Sequence, residues 1–314
     1  MVKISSDKID ARSLRGNAPG DPAIREITCI ENNANARTPV MIGLPGFYGS
    51  SYSFLNRSYT SIDFLNVLES LHEKYSFIII LPDTMTAFGG NQFVNSSAVG
   101  NYEDFIKDDV LDYINSKYGN RDIYLFGKSS GGFGSISLAL KYPDIFNGFI
   151  DISGDSYFPY SYLPDFGVAF KTIKKNGLEE FIQKYRSSFI NSQDDLTTYN
   201  VIAMSAFYSP EGKNFKLPFK EDIGEIDNDV WKKWLKLDPV NAIKENIKAL
   251  KKQTVILQTG NKDEFRIDIG MNMIHNFLEK NNVSHYFKEY DTGHFNTNFF
   301  YLDSFPEILK KYNF

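Results

Sequence analysis

The sequence predicts an α/β protein with a mainly parallel central sheet, flanking helices and an inserted, mostly helical cap. Between about Val40 and Ile152, short apolar runs alternate with segments whose apolar residues recur at helical spacing. One of these runs, FIIIL at 77–81, is continuously apolar, which is typical of a strand buried on both faces in a parallel sheet. The alternation stops after residue 155 and resumes near Thr254, which indicates an insertion into the sheet domain.

The predicted elements follow each other mostly in βα order. Apolar runs rich in strand-forming residues predict strands at 24–30, 40–44, 77–81, 123–126, 148–152, 254–258 and 285–290. Helical spacing predicts helices at 62–75, 103–118 and 267–280, and a further helix that follows residue 131 and ends near Pro143. Residues 1 to about 22 are polar and contain Gly and Pro breakers, so we expect an irregular lead-in there.

The segment 156–237 lacks this alternation and contains aromatic clusters, basic helical pieces and an acidic loop. We therefore expect residues 1–155 and 238–314 to form the core domain and residues 156–237 to form the cap. Tyr157 and Phe158 follow closely after a predicted strand. They are predicted either to line a substrate pocket or to pack in the core.

Composition and charge exclude several classes of partner. The 314-residue chain has a formal net charge of −5 and a pI near 5.5, so it offers no overall basic field for nucleic acid or an anionic membrane. The sequence contains no apolar run near the roughly 20 residues of a membrane span and no N-terminal signal pattern. Its single cysteine, Cys29, fits a reducing compartment. We expect a cytoplasmic protein that acts on a small molecule, and leave open whether it forms a homo-oligomer.

The segment IYLFGKSSGGFGSISLAL contains the strongest functional motif. Between its predicted strand and helix lies GKSSG, which matches the G-x-S-x-G pattern of a nucleophilic serine on a sharp strand-to-helix turn. A side chain two residues before or after that serine would collide with the turn. Ser129 has Gly127 and Gly131 at these positions, whereas Ser130 would have Lys128 behind it. Ser129 is therefore the predicted nucleophile.

A serine nucleophile needs a base within hydrogen-bond reach. Of the four histidines, His72 and His275 lie in helical patterns and His285 opens a strand. His294 instead lies in a loop that follows the last predicted strand. Open α/β sheets place their functional sites at the carboxyl ends of strands, so His294 is the predicted base.

The base in turn needs a carboxylate that orients it. We expect this group in TGNKDEF, the turn after the last strand but one. Asp263 is the first choice, and Glu264 and Asp268 are alternatives because the sequence does not resolve an offset of a residue within a loop. The order of nucleophile, acid and base along the chain is then Ser129, Asp263 and His294.

Two backbone N–H groups are expected to bind the oxyanion of the reaction. One belongs to Ser130, the residue after the nucleophile. The other belongs to Phe47, in the loop after the strand at 40–44, where Gly46 allows a close approach of the backbone. The sequence contains no cluster of His, Cys and carboxylates with metal-ligand spacing and no phosphate-binding glycine loop, so we expect neither a metal nor a cofactor.

Together these motifs resemble the α/β-hydrolase superfamily and, within it, the putative-esterase family. That family includes esterase D (S-formylglutathione hydrolase), the enterochelin-esterase type and the antigen 85 mycolyltransferases. The matching pieces are LPGFYGS, LPD, GKSSGGFGS, YSP, DP, TGNKDEF and DTGHF. The resemblance implies the α/β-hydrolase fold, a triad of Ser129, Asp263 and His294 in the chain order of the superfamily, and Phe47 and Ser130 as oxyanion donors.

The sequence departs from the family's pattern at two positions, since members often carry His where Pro45 and Lys128 stand. We expect a serine carboxylesterase that hydrolyses small carboxylic esters through an acyl-enzyme intermediate. Alternatives with the same triad are an acyltransferase, a thioesterase or a peptidase. An alternative of a different class is a non-catalytic, hydrolase-like binding protein.

Overall fold

An eight-stranded, mainly parallel sheet forms the centre of the protein. The computed structural model describes residues 2–59, 61–188 and 190–312. The outermost residues of the predicted core domain, 1 and 313–314, therefore lie outside the described residues.

The strands are β1 (Lys3–Asp10), β2 (Ile24–Asn32), β3 (Val40–Leu44), β4 (Phe77–Pro82), β5 (Asn95–Ser96), β6 (Gly100–Asn101), β7 (Ile123–Lys128), β8 (Gly148–Ile152), β9 (Pro210–Glu211), β10 (Asn214–Phe215), β11 (Thr254–Gly260) and β12 (Tyr286–Tyr290). The large sheet has the order β1-β2-β4-β3-β7-β8-β11-β12, while β5–β6 and β9–β10 form separate two-stranded ribbons. From β4 to β12 neighbouring strands of the large sheet are parallel, whereas β2 runs antiparallel to both of its neighbours.

The helices are α1 (Phe64–Leu71), α2 (Tyr102–Asp104), α3 (Leu111–Tyr118), α4 (Ser130–Lys141), α5 (Phe158–Ser161), α6 (Phe166–Asn176), α7 (Leu178–Ser187), α8 (Gln193–Tyr208), α9 (Asn228–Leu237), α10 (Pro239–Glu245), α11 (Ile247–Leu250), α12 (Ile267–Lys280) and α13 (Tyr301–Leu309). A π-helical segment, Phe105–Val110, joins α2 to α3. Short 3-10 turns lie at Arg12–Leu14, Ser51–Leu55, Leu163–Asp165 and Asn298–Phe300.

The central strands are buried on both faces, as their continuous apolar runs predict. Ile42 and Leu125 face one hydrophobic core, and their neighbours Met41 and Phe126 face the other. This alternation is the two-residue period of a strand whose two faces are both covered by helices. On the second face the rings of Phe64 and Phe126 stack with their centroids 5.8 Å apart.

The register of the sheet brings several strand ends to one edge. Leu44 of β3 pairs with Gly127 of β7, and Lys128 pairs with Ile152 of β8. Ile152 in turn pairs with Gln258 of β11. Because the carboxyl ends of parallel strands share an edge, the loops after β3, β7, β8, β11 and β12 gather at one rim.

The prediction of an irregular lead-in at residues 1–22 is wrong for its first part. Residues 3–10 form β1, which pairs antiparallel with β2 from Lys3 opposite Glu31 to Asp10 opposite Ile24. Most side chains of β1 are exposed, so the strand carries no apolar alternation to reveal it. Backbone pairing at the edge of the sheet stabilises it instead.

The proposed cap segment, 156–237, contains α5 to α9 and the small β9–β10 ribbon. Its core is aromatic: Trp234 is fully buried and packs edge-on against Tyr162 and Phe166. The Trp234 indole N–H donates a hydrogen bond to Ser209 Oγ at 3.1 Å. Among the described residues, no helix is both long and apolar enough to cross a membrane.

Candidate active site

Ser129 occupies a strained turn between β7 and α4. Its φ of 56° and ψ of −126° lie in a region that L-residues rarely adopt, and two backbone hydrogen bonds fix it there. The Ser129 N–H donates to the Ile152 carbonyl at 3.0 Å, and the Phe133 N–H donates to the Ser129 carbonyl at 2.9 Å. The turn therefore presents the Ser129 side chain at the rim where the sheet strands end.

The two glycines that flank Ser129 are required by close backbone contacts. A Cβ added to Gly131 would lie 1.9 Å from the carbonyl oxygen of Leu44. A Cβ added to Gly127 would lie 2.4 Å from the carbonyl carbon and oxygen of Gly131. The sharp turn thus excludes any side chain at these two positions.

His294 and Asp263 are joined by a short hydrogen bond. The distance from His294 Nδ1 to Asp263 Oδ2 is 2.7 Å, and the two residues are only 3% and 7% exposed. Asp263 also accepts the Phe265 N–H at its other oxygen, at 2.9 Å. The edges of the Phe265 and Phe295 rings contact the imidazole with centroids 4.8 and 5.4 Å away. The imidazole is therefore held by a buried carboxylate and by aromatic packing.

The two alternative carboxylates have other contacts. Glu264 Oε2 accepts the backbone N–H of His294 at 2.7 Å, so it holds the loop rather than the ring. Asp268 lies in the first turn of α12, and burial raises its pKa, with the charge of Asp263 adding to the effect. Of the three candidates, the geometry favours Asp263 as the partner of the imidazole.

Ser129 and His294 line the same cavity, without a hydrogen bond between their side chains. The cavity has a volume of about 540 Å³, within the range of small-molecule sites. Within the described residues, Ser129 Oγ has its side-chain hydrogen bond with Asp155 Oδ1, at 3.4 Å, and none with His294. Catalytic hydrogen bonds are often long or unformed without substrate, and a rotation of the Ser129 side chain changes its partner.

Asp155 is a buried carboxylate that the sequence analysis missed. It follows β8 and accepts hydrogen bonds from Ser130 Oγ at 3.0 Å, Tyr162 OH at 2.7 Å and Gln92 Nε2 at 3.3 Å, besides Ser129. Burial raises the pKa of Asp155, although these hydrogen bonds and the nearby imidazole oppose the shift. Asp155 lies shortly after the end of β8, in the sequence Ser-Gly-Asp, and this position could have indicated a role in the site.

Lys128 adds a basic group next to the nucleophile. Burial lowers the pKa of Lys128 to about 8, while the charges of Asp263 and Glu264 oppose this shift. Its Nζ lies 5.3 Å from the centroid of the Phe295 ring. The ammonium group is therefore partly desolvated at the mouth of the cavity.

Both predicted oxyanion donors belong to residues that line the cavity. Phe47 follows Gly46, whose backbone packs against the turn: a Cβ there would lie 3.3 Å from the Lys128 carbonyl and 3.5 Å from Ser129 Cβ. Ser130 opens α4, so its N–H is one of the donors that a helix leaves without an intrahelical partner. Both residues thus line the cavity together with Ser129.

The predicted substrate contacts Tyr157 and Phe158 lie elsewhere. Phe158 is fully buried, and its ring stacks on Tyr208 with centroids 5.6 Å apart. The backbone amides of Tyr157 and Phe158 donate to the carboxylate of Asp238 at 3.0 and 2.8 Å. The Phe158 ring therefore packs within the cap segment, and the backbone of both residues binds Asp238 of the core domain.

Residues of the cap segment form a mostly polar wall of the cavity. Apart from Leu196, the side chains are Ser161, Tyr162, Asp165, Gln193, Thr197 and Asn200. Burial raises the pKa of Asp165 to about 6, and Arg266 opposes the shift. Four aromatic residues from outside the cap segment also line the cavity and are called its aromatic wall: Phe47, Tyr48, Phe265 and Phe295. The cavity can thus hold a ligand with one apolar and one hydrogen-bonding part.

A family model described as Putative esterase matches residues 32–311. This range includes Ser129, Asp263 and His294. No curated protein matches the chain.

Solved structures resemble the chain over nearly its whole length. A ferulic acid esterase shares 16% identity at a TM-score of 0.58, covering 99% of this chain and 98% of that protein. The fluorophosphonate-binding serine hydrolase F of Staphylococcus aureus shares 12% identity at a TM-score of 0.59, with coverage of 99% and 98%. An S-formylglutathione hydrolase of the same organism shares 12% identity at a TM-score of 0.57, with coverage of 99% of each chain. At such identities the likeness establishes the fold, which is that of the α/β-hydrolases.

Proposed function

Because the chain belongs to the Putative esterase family and is an esterase enzyme, we propose that it is a serine carboxylesterase with Ser129, His294 and Asp263 as its catalytic triad. It hydrolyses small carboxylic esters through an acyl-enzyme intermediate. Family membership favours this reading over a non-catalytic binding protein.

The contact between His294 and Asp263 is the observation that carries the proposal. A carboxylate 2.7 Å from Nδ1 accepts that N–H, which leaves the lone pair of the neutral ring on Nε2. A ring in this tautomer, in the cavity that also contains Ser129, is suited to accept the serine proton.

Acylation begins when Ser129 Oγ turns from Asp155 towards His294. The oxygen attacks the ester carbonyl carbon while its proton passes to His294 Nε2. The tetrahedral intermediate then collapses: the bond to the alcohol oxygen breaks, and the imidazolium returns the proton to the leaving alcohol. The negative charge of Asp263 stabilises the imidazolium during this step.

The backbone N–H groups of Phe47 and Ser130 serve as the oxyanion donors in this scheme. They stabilise the negative charge that develops on the carbonyl oxygen, and losing one such donor typically costs roughly 10²- to 10³-fold in kcat. Gly46 supports this role because its backbone packs directly against the turn that holds Ser129.

Deacylation repeats the sequence with water as nucleophile. His294 takes a proton from water, the hydroxyl oxygen attacks the acyl carbon, and the proton returns to Ser129 Oγ as the carboxylic acid is released. A thiol, amine or alcohol acceptor in place of water would give a transferase. We propose water because the chain belongs to a family of esterases.

The walls of the cavity indicate a substrate with two unlike ends. The aromatic wall suits an aryl or short alkyl group, and the polar wall of the cap segment suits a group that forms hydrogen bonds. We therefore expect higher kcat/KM for esters that carry both groups than for purely aliphatic esters.

The replacement Ser129→Ala tests the proposal. We expect it to lower kcat/KM for p-nitrophenyl acetate and butyrate by roughly 10⁴- to 10⁶-fold, since it removes the attacking atom. The circular dichroism spectrum should not change, because Ala fills less space than Ser at the same site.

Ser130→Ala is the matched control. It removes a neighbouring hydroxyl but keeps the backbone N–H that is assigned to the oxyanion, so the rate should fall far less than in Ser129→Ala. Equal activity of Ser129→Ala and the unmodified enzyme would refute the assignment of the nucleophile.

A further inference from the structure

Three metal-ligating side chains meet at the C-terminal end of α12, away from the cavity. His275 and Glu279 are four residues apart on the helix, and therefore on the same face. His285 follows the helix and directly precedes β12. The ligand atoms of the three side chains all lie within 4.8 Å of one another.

Short distances join His285 Nε2 to a ligand atom of each of the other two side chains. His275 Nδ1 lies 2.8 Å from His285 Nε2. Glu279 Oε1 lies 3.8 Å from the same His285 nitrogen. Imidazole nitrogen and carboxylate oxygen are the usual protein ligands of zinc when cysteine is absent.

The tautomer of His285 is set by the backbone. Its Nδ1 lies 2.8 Å from the carbonyl oxygen of Val283, so Nδ1 carries the proton that is donated to that oxygen. In the neutral ring Nε2 then holds a lone pair that faces His275 and Glu279. Metal-ligating histidines are commonly oriented in this way by a hydrogen bond from the second ring nitrogen. The side chain of His285 is only 1% exposed, which fixes this orientation further.

His275 and Glu279 are suited to complete such a site. The His275 ring stacks on Phe287 with centroids 4.1 Å apart. The Nδ1 of the same ring faces His285 Nε2, so a ring nitrogen of His275 already points into the cluster. The Glu279 side chain is 64% exposed and free to turn towards the two rings.

We propose that His275, Glu279 and His285 bind one divalent transition-metal ion of the zinc class, with water as the remaining ligand. With zinc–nitrogen bonds of about 2.0–2.1 Å, tetrahedral geometry separates two nitrogens by about 3.3 Å. The observed 2.8 Å therefore opens by about 0.5 Å on binding. A rotation of the partly exposed His275 ring provides this change.

The ion would join the end of α12 to the start of β12, an outer strand of the sheet that pairs with β11. His285 precedes β12 and His294 follows it, so the length of the strand, roughly 15 Å, separates the metal site from the proposed triad. The site is therefore structural, and its loss should leave the esterase reaction unchanged. This inference does not depend on the proposed function.

Calorimetric titration of EDTA-treated, dialysed protein with ZnCl₂ tests the proposal. The unmodified protein should bind about one ion per chain through this site, with a dissociation constant of about 1 µM or lower. His285→Ala should abolish that binding event, and Glu279→Gln should weaken it by about tenfold or more. His72→Ala removes a histidine outside the cluster and should bind as the unmodified protein does.

Two further readouts separate a metal site from a simple N–H···N hydrogen bond between the rings. Zinc at about 100 times its dissociation constant should raise the melting temperature of the unmodified protein by a few degrees but not that of Glu279→Gln. Binding should weaken as the pH falls from 7.5 to 5.5, because protons compete for the imidazoles.

The absence of saturable zinc binding would overturn the proposal, and so would binding that survives Glu279→Gln and His285→Ala unchanged. If His285→Ala does not fold, Glu279→Gln decides the matter, because its exposed side chain can be replaced without disturbing the core.

Discussion

Two buried aspartates lie at the proposed site, and they differ in what they contact. Asp263 binds the imidazole of His294 and one backbone N–H, whereas Asp155 accepts hydrogen bonds from hydroxyl and amide side chains, including that of Ser129. Both lie just beyond the end of a sheet strand. The contacts favour Asp263 for the proposed orienting role, and Asp155 for a hydrogen bond to Ser129 before substrate binds.

Replacing each aspartate by asparagine distinguishes these roles. Asp263→Asn removes the charge that stabilises the imidazolium and permits the wrong tautomer, so we expect kcat to fall by roughly 10⁴-fold. Asp155→Asn keeps an acceptor near Ser129 and removes a carboxylate that is costly to ionise, so we expect a change of less than about tenfold. Steady-state kinetics on one p-nitrophenyl ester measures both effects.

The comparison is informative because the two replacements have the same size and chemistry. A larger loss for Asp155→Asn than for Asp263→Asn would mean that Asp155 is the catalytic carboxylate and that the proposed triad is wrong.

At the residue scale, the sequence predicts best the groups whose position depends on local backbone geometry. It favours Ser129 over Ser130 because glycines are needed on both sides of the turn, and the close contacts of Gly127 and Gly131 agree with that need. The choice among Asp263, Glu264 and Asp268 needed coordinates, since a loop can direct any of its side chains inward. Asp155 was missed because its partners are far apart in the sequence: Gln92, Ser129, Ser130 and Tyr162 meet it only in the folded chain.

The turn from β7 to α4 is the element that determines the geometry of the site. Its register with β3 and β8 brings Leu44 and Ile152 against it, and its glycines allow that contact. A side chain at Gly131 would meet the Leu44 carbonyl, which belongs to the rigid sheet and has little freedom to move.

Gly131→Ala should therefore disrupt the site. We expect loss of at least about 100-fold in kcat/KM, because a displacement of about 1 Å at the reacting atom has effects of this size. A lowered melting temperature should accompany the loss. Gly167→Ala is the matched control: no atom lies within 4 Å of the added carbon in α6, and Ala favours a helix over Gly by up to about 1 kcal/mol.

A Gly131→Ala enzyme with normal activity and stability would show that the turn is less tightly packed than its contacts indicate. Loss of activity in Gly167→Ala would show that replacing a helical glycine is harmful in general. The effect of Gly131→Ala could then not be attributed to the contact with Leu44.

At the scale of elements, the strand and helix predictions were accurate where burial determines the spacing of apolar residues. The strands at 40–44 and 148–152 and the helix at 267–280 have the predicted bounds. The pattern did not reveal β1, because most of its side chains are exposed and carry no apolar alternation. It also did not reveal the π-helical segment at 105–110, because an extra residue in one turn changes the apolar spacing very little.

For the whole molecule, the parallel sheet explains how distant parts of the chain come together. Ser129, Asp263 and His294 follow three different strands, and the shared direction of those strands brings their loops to one rim. The sequence could predict this convergence from the order of strands and helices. It could not predict the path of the cap segment, which depends on how its aromatic side chains pack around Trp234.

The cluster of His275, Glu279 and His285 also could not be predicted from the sequence. His285 lies beyond the end of the helix that carries the other two side chains, so no regular spacing indicates the group. The turn between α12 and β12 brings His285 next to the other two side chains.

Covalent capture of the nucleophile tests the central claim most directly. The enzyme would be treated with a fluorophosphonate, and the adduct would be located by mass spectrometry of the intact protein and its peptides. The account predicts one adduct per chain, on Ser129, with loss of esterase activity in proportion to labelling and much slower labelling of His294→Ala. An adduct on another residue, or full esterase activity without any adduct, would contradict it.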